Sequence, residues 1–300
     1  MISRSLKNSL HLLILSMLIL CYREKDLLAM PPVQKIVLPN RLVVLHSEDH
    51  SLPFVTLHLL IDGGLRGDPT GQEGAARLTA EGLLLGTSRH TVDALNQELD
   101  FMGASLSASS GKDYSTLSFR FLKKDLDRAL GLFMEVLTEP IFPDEEIKRE
   151  KEKTLAAIQA EEDEPGEVAE RAFLKALFPA SPYGHPAIGS KESLQRITRN
   201  TIFNFYKTYY HPNNCILAVA GDLSQQEVGT KLLPRFEKME PVEIPNEAFN
   251  LSFQKGPEWI KINRQITQAN VIIGHAGISR ENPDFYAVGV MNYILGGGGF

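Results

Sequence analysis

The sequence predicts an α+β fold, and three observations carry that prediction. Short runs rich in β-branched residues and leucine open the chain. Helical periodicity takes over from Gly74. Strands and helices then recur without the regular strand-helix-strand alternation of a parallel sheet. Composition agrees, since 43% hydrophobic and 23% charged residues over a chain of 300 is ordinary for a globular protein, and the length suits about two domains. Lys plus Arg number 31 against 37 Asp plus Glu, a net charge of −6, so no electrostatic reason exists to expect nucleic acid. The two cysteines, Cys21 and Cys215, build neither a disulfide framework nor a cysteine metal site.

The strand-like segments are 35–38, 42–45 after a Pro39-Asn40 turn, and 55–61, and they predict an opening antiparallel meander. From Gly74 to Gly86, Ala75, Ala76, Leu78 and Leu83 fall at helical spacing. Val92, Leu95, Leu99 and Met102 mark a second helix, which Gly103 caps. Leu117, Phe119 and Phe121 alternate with polar residues as in a strand, and Leu126, Leu130, Phe133 and Leu137 form a helical stripe that ends before Pro140.

A long charged helix is predicted over 144–162 on the thin stripe Ile147, Leu155 and Ile158, broken at Pro165-Gly166 before a second helix around 168–177. Helical signals return over 193–210, residues 215–220 read as a buried strand, and Ser224 to Glu227 is a capping box. The organisation read from these signals is an α+β domain over 33–237, a proline-bearing linker over 238–257, and the start of a second domain over 258–300. In that last segment 260–273 reads as strand and 284–295 as helix. Its small size predicts an incomplete second domain.

Residues 1–32 differ from the rest. Arg4 and Lys7 precede an apolar run from Leu10 to Cys21 that is short of the ~20 residues a membrane span needs and suits the core of a secretory signal. Export to a periplasmic or membrane-associated site is the expectation, with membrane association through residues 10–21 if the segment is retained. A lipidated Cys21 fits poorly, because Leu20 stands where a small residue belongs.

The ordered set Gly63-Gly64, Asp68-Pro69, Gly74-Ala75-Ala76, Gly86-Thr87, Asp113-Tyr114, Glu139-Pro140, Tyr210 to Asn214, Gly221-Asp222, Asn282-Pro283-Asp284 and Leu295 to Gly298 resembles the pitrilysin/insulinase family of zinc peptidases, relatives of mitochondrial processing peptidase. The resemblance runs from about residue 33 to the last residue. It implies a clamshell of repeated α+β domains around a chamber, and in active members His-x-x-Glu-His on the first long helix. That spacing sets two imidazoles on one helical face for Zn²⁺ and a Glu against the metal-bound water. The matching positions here are Arg77, Ala80 and Glu81, and the downstream Glu ligand falls at Ala157. An Arg stays protonated and an Ala accepts no proton, so hydrolysis by the family's mechanism is not expected.

The resemblance therefore implies a non-catalytic subunit with no cofactor of its own, working with a zinc-bearing peptidase subunit of the same family on a peptide substrate. By the same resemblance the edge strand near Ser107, Ala108, Ser109 and Ser110 would pair with extended peptide, and the glycine loop Gly296, Gly297, Gly298 and Gly299 would border the substrate. Substrate-binding residues that such a subunit contributes would follow Phe300. Two rival readings stand: a peptidase with relocated ligands Glu73, Glu81 and His90, and a structural scaffold that binds no peptide. His46 and His50 flank two carboxylates but are placed in a turn, and His58, His185, His211 and Cys215 read as architectural.

Overall fold

The computed structural model describes residues 32–179, 181–245 and 256–297. Six strands form one sheet in the order β1-β2-β6-β3-β5-β4: β1 (Gln34–Val37), β2 (Val43–Glu48), β3 (Phe54–Ile61), β4 (Ser105–Ser110), β5 (Ser115–Leu122) and β6 (Cys215–Gly221). The α+β class is as the sequence predicts. The opening meander is not: β1 and β2 pair antiparallel, but β6 inserts between β2 and β3, parallel to the first and antiparallel to the second. Alternation identifies a strand and says nothing of its neighbours, so an insertion from 160 residues downstream leaves no local trace.

Period-2 alternation splits the sheet into two faces. Val55, Leu57, Leu59 and Ile61 of β3, Leu117, Phe119 and Phe121 of β5, and Leu217 and Val219 of β6 are all buried on one of them. Helices complete the core on that face with buried residues from α1 (Ala75–Gly82), α2 (Val92–Met102), α3 (Leu126–Thr138) and α4 (Asp144–Asp163), then, after α5 (Pro165–Leu177), from α6 (Lys191–Arg196) and α7 (Arg199–Tyr209) and, after α8 (Gln225–Glu227), from α9 (Leu233–Phe236), whereas α5 and α8 bury none of their described residues. Phe119 stacks on Phe133 of α3 with ring centroids 6.2 Å apart, and Phe133 meets Phe236 of α9 at the same distance. Each such ring removed from water contributes roughly 1.5–3 kcal/mol, which makes this layer the main source of stability.

Helix ends follow their local chemistry. Thr91 caps α2 by accepting from the Ala94 amide, and Gly103 closes it in the left-handed region at φ 59°. Pro165 begins α5, where a missing N–H costs nothing. Between α8 and α9 the backbone widens into a π-helical stretch, Val228–Leu232, directly before Pro234, whose ring nitrogen has no proton to donate.

Residues 260–273 form no strand, and Trp259, Val271 and Ile273 are exposed at 94%, 75% and 90%. The strand predicted there requires a partner ladder, and no strand among the described residues supplies one. The predicted helix does form, as α10 (Phe285–Asn292), which continues into a π-helical turn, Tyr293–Gly297. Among the described residues no helix is long and apolar enough to cross a membrane. The 10–21 run and Cys21 lie outside the described residues.

Candidate functional site

The helix face that the sequence singles out is held from below by Asp68. Its carboxylate accepts the amides of Gly74 and Ala76, both at 2.7 Å, and so caps the start of α1. Burial pushes the Asp68 carboxyl up to about 7, against the opposing pull of those two amides, with Glu73 adding a little repulsion. On α1, Ala75, Ala76, Leu78, Thr79, Ala80 and Gly82 are buried, whereas Arg77 and Glu81 are partly open. The spacing i, i+4 sets those two on one face.

Arg77 Nη1 donates to both oxygens of Glu81, at 2.8 and 2.6 Å, and Nη2 donates to the hydroxyl of Thr154 on α4. Thr154 in turn donates to the carbonyl of Glu150 at 2.6 Å, and the Glu150 carboxylate lies 4.0 Å from Arg77 Nη1. Arg77 Nε is buried and has no hydrogen-bond partner among the described residues. Burial raises the Glu81 carboxyl above its usual range and Glu150 adds to that, while Arg77 and Lys153 pull it back. The result is a guanidinium clamped between two helices.

The remaining candidates are dispersed. Ala80 is fully buried. Ala157 is exposed on α4, and the α4 groups that meet Arg77 are Glu150 and Thr154, which the sequence reading passed over. A signal for Thr154 existed, because the buried stripe of α4 is Ile147, Thr154 and Ile158, with Leu155 only half-buried. Of the relocated set, Glu81 is engaged by Arg77, and Glu73 accepts from the Gly71 amide. His90 bonds Glu135 at 2.7 Å. Among the described residues no group of three or more His, Cys, Asp or Glu side chains is gathered so as to hold a metal ion.

His46 is a correction to the sequence reading, since it lies within β2, 2% exposed, and bonds the Leu223 carbonyl at 2.8 Å. His50 is in the following loop between Asp222, at 2.5 Å, and Glu48, at 2.7 Å. The two imidazoles part because β2 ends at Glu48, leaving His46 on the core face of the strand and His50 in the exposed loop beyond it. His185 is half-buried and its imidazolium is disfavoured by that burial, and His211 bonds the Lys207 carbonyl. Cys215 is a buried thiol, and burial pushes its pKa up, away from nucleophilic character.

Two surfaces remain open. β4 ends the sheet and pairs with β5 alone, so its outer edge carries the free backbone groups, with Ser107 and Ser109 exposed and Ala108 and Ser110 half-buried. The register also aligns Leu45, Ala218, His58, Ser118 and Ser107 in one row across the face that the helices leave bare, and His58 Nδ1 meets Ser118 Oγ at 2.6 Å. Gly296 and Gly297 lie beyond α10, and no hydrogen bond among the described residues joins them to α1 or β4. Gly298 and Gly299 are outside the described residues.

A mixed six-stranded sheet with helices packed on one face defines an α+β domain. The family model for Insulinase (Peptidase family M16) matches residues 43–191, and that for the Peptidase M16 inactive domain matches residues 196–300. The chain belongs to the insulinase, or M16, peptidase family.

It is 26% identical over 273 residues to an uncharacterized zinc protease of Streptomyces coelicolor, covering 89% of this chain and 59% of that one. It is 27% identical over 279 residues to the probable mitochondrial-processing peptidase subunit beta of Arabidopsis thaliana, covering 91% and 52%. A crystal structure of a peptidase M16 inactive domain from Pseudomonas fluorescens superposes with a TM-score of 0.77 at 27% identity, covering 90% of this chain and 65% of that one. The chain thus spans between half and two thirds of the length of these relatives.

Proposed function

We propose that this chain is a non-catalytic member of the insulinase family that forms part of a peptide-binding chamber beside a separate zinc-bearing subunit. The observation that carries the reading is the Arg77 clamp: where the resemblance calls for an imidazole, a guanidinium spans Glu81 and Thr154. The donor set does not fit zinc. A guanidinium offers no lone pair, Ala80 supplies neither ligand nor base, and a single carboxylate from Glu81 leaves the site short of the three protein ligands a catalytic zinc needs.

Peptide binding and partnership rest on other features. The free edge of β4 offers main-chain donors and acceptors to an extended peptide, and its small side chains do not obstruct approach. A relative named as a processing-peptidase subunit supports a partner of the same family. The Leu10 to Cys21 run supports export, to a periplasmic or membrane-associated location.

The test is reconstitution. Cleavage of an unstructured peptide is followed with this chain alone, with a family member that carries an intact His-x-x-Glu-His motif alone, and with the two mixed. Activity that needs the mixture, and survives Glu81→Gln in this chain, supports the proposal. Chelator-sensitive activity of this chain alone, abolished by Glu81→Gln, overturns it.

A further inference from the structure

A groove of about 580 Å³ lies between α3, α7 and the segment that follows α9, away from the Arg77 clamp. We propose that it docks an acidic segment of a partner polypeptide carrying a bulky apolar side chain. This goes beyond the chamber reading and does not depend on it.

Shape supplies the first part of the argument. Met134, Tyr206 and Met239 line the groove, each partly buried against the core. Two methionines give a deformable, polarisable surface that accepts a leucine or phenylalanine side chain without one fixed shape. The wall after α9 is already in place, because the Asn213 side-chain amide donates to the Val242 carbonyl at 2.8 Å and accepts the Val242 amide at 3.1 Å. Tyr206 is likewise held, its hydroxyl donating to the Leu137 carbonyl at 2.8 Å. A preformed groove spends little ordering entropy on binding.

Charge supplies the second part. Arg89, Glu135 and Glu139 also line the groove but are engaged with one another, the guanidinium lying 3.2 Å from each carboxylate. Lys207 and Lys238 are exposed and have no ion pair among the described residues, Lys207 lying 5.4 Å from the Phe203 ring centroid, while Arg235 Nε donates to the Lys231 carbonyl at 3.0 Å and its guanidinium lies 3.9 Å from Asp127. Against them stands Glu240. Over its whole lining the groove carries four cations, Arg89, Lys207, Arg235 and Lys238, against three carboxylates, a local excess of one positive charge on a chain whose net charge is −6. Three cations around an apolar floor are too few and too apolar a setting for a nucleic-acid backbone, and they match Asp or Glu residues flanking an apolar anchor.

The experiment uses the whole chain and a fluorescein-labelled twelve-residue peptide in which Glu residues flank a Leu-Phe pair, with binding read by fluorescence anisotropy. The expected result is saturable binding that weakens with salt, is lost when the Glu residues are replaced by Lys, and falls about tenfold or more in the Lys207→Glu, Lys238→Glu double variant. Both lysines are exposed, so the variant is expected to keep the parent near-UV circular dichroism. Met239→Ser is expected to weaken binding as well, through the apolar floor rather than charge. Affinity unchanged by the double charge reversal, equal binding of the Lys peptide, or no binding up to about millimolar peptide overturns the proposal. Capture of anionic phosphatidylglycerol vesicles in place of the peptide, or self-association of the chain through this groove, overturns it as well.

Discussion

Arg77 Nη1 donates to both carboxylate oxygens of Glu81, four residues on along α1, at 2.8 and 2.6 Å. The pair is 16% and 30% exposed, so it is neither a free surface bridge nor a fully desolvated one. Its value lies in what each group would become alone. Removing Arg77 leaves a carboxylate that burial and Glu150 already disfavour, and that arginine also pulls the Glu81 carboxyl down. Arg77→Ala is therefore expected to cost about 1–3 kcal/mol at pH 8 and less at pH 5, because lowering the pH favours the neutral form that burial already favours. Urea unfolding at the two pH values checks this. Equal costs at both would show that the lost packing on Thr154, rather than charge, is what matters.

Asp68 gives a second pH dependence. Its carboxyl is raised from the usual 3.8 to about 7, so the folded chain holds a proton that the unfolded chain releases. The stability contributed by this group is fully present below about pH 4 and is lost as pH rises toward 7. The difference in unfolding free energy between the parent and Asp68→Asn should fall across that window and level off above it. A difference that rose with pH would mean that the Gly74 and Ala76 amides outweigh burial.

Glu135 is 4% exposed and ties the loop after α1 to α3 through Thr87, His90 and Arg89. Glu135→Ala is expected to cost about 3 kcal/mol or more, because it leaves buried donors unpaired. Arg89→Ala should cost under about 1 kcal/mol, since that side chain is 60% exposed. Thermal unfolding of the two variants ranks them. A ranking in the other order would mean that His90 and Thr87 do not hold the carboxylate.

Gly221 closes β6 at φ 117°, and a Cβ built there would lie 2.1 Å from the Phe54 carbonyl oxygen. Both the dihedral and the clash with backbone oppose any side chain. Gly221→Ala is expected to destabilise by about 3 kcal/mol or more, read by chemical denaturation. A cost near 1 kcal/mol would mean that the β3 and β6 ends separate easily.

These residues also show how far the sequence could be read. Local signals were legible: the Gly103 end of α2, the β-branched and leucine-rich run of β3, the alternation of β5, and the Arg77 to Glu81 spacing each follow from a few neighbouring residues. The position of β6 between β2 and β3 was not, because pairing order depends on contacts between distant segments. Residues 260–273 read as strand, but a local reading of one segment cannot provide the second strand it must pair with. At the candidate site, counting along the chain led to Ala157, whereas helical geometry turns Glu150 and Thr154 toward Arg77. His46 was misplaced because a single imidazole in a strand can face the core when a carbonyl, here that of Leu223, accepts its proton.

The most direct test of the central claim is the zinc content of the whole purified chain after equilibration with a zinc buffer and removal of loosely held metal. The Arg77 clamp predicts less than about 0.1 zinc per chain, unchanged by Glu81→Gln, because the guanidinium cannot ligate and one carboxylate does not make a site. About one tightly held zinc per chain, lost on Glu81→Gln, would contradict the account.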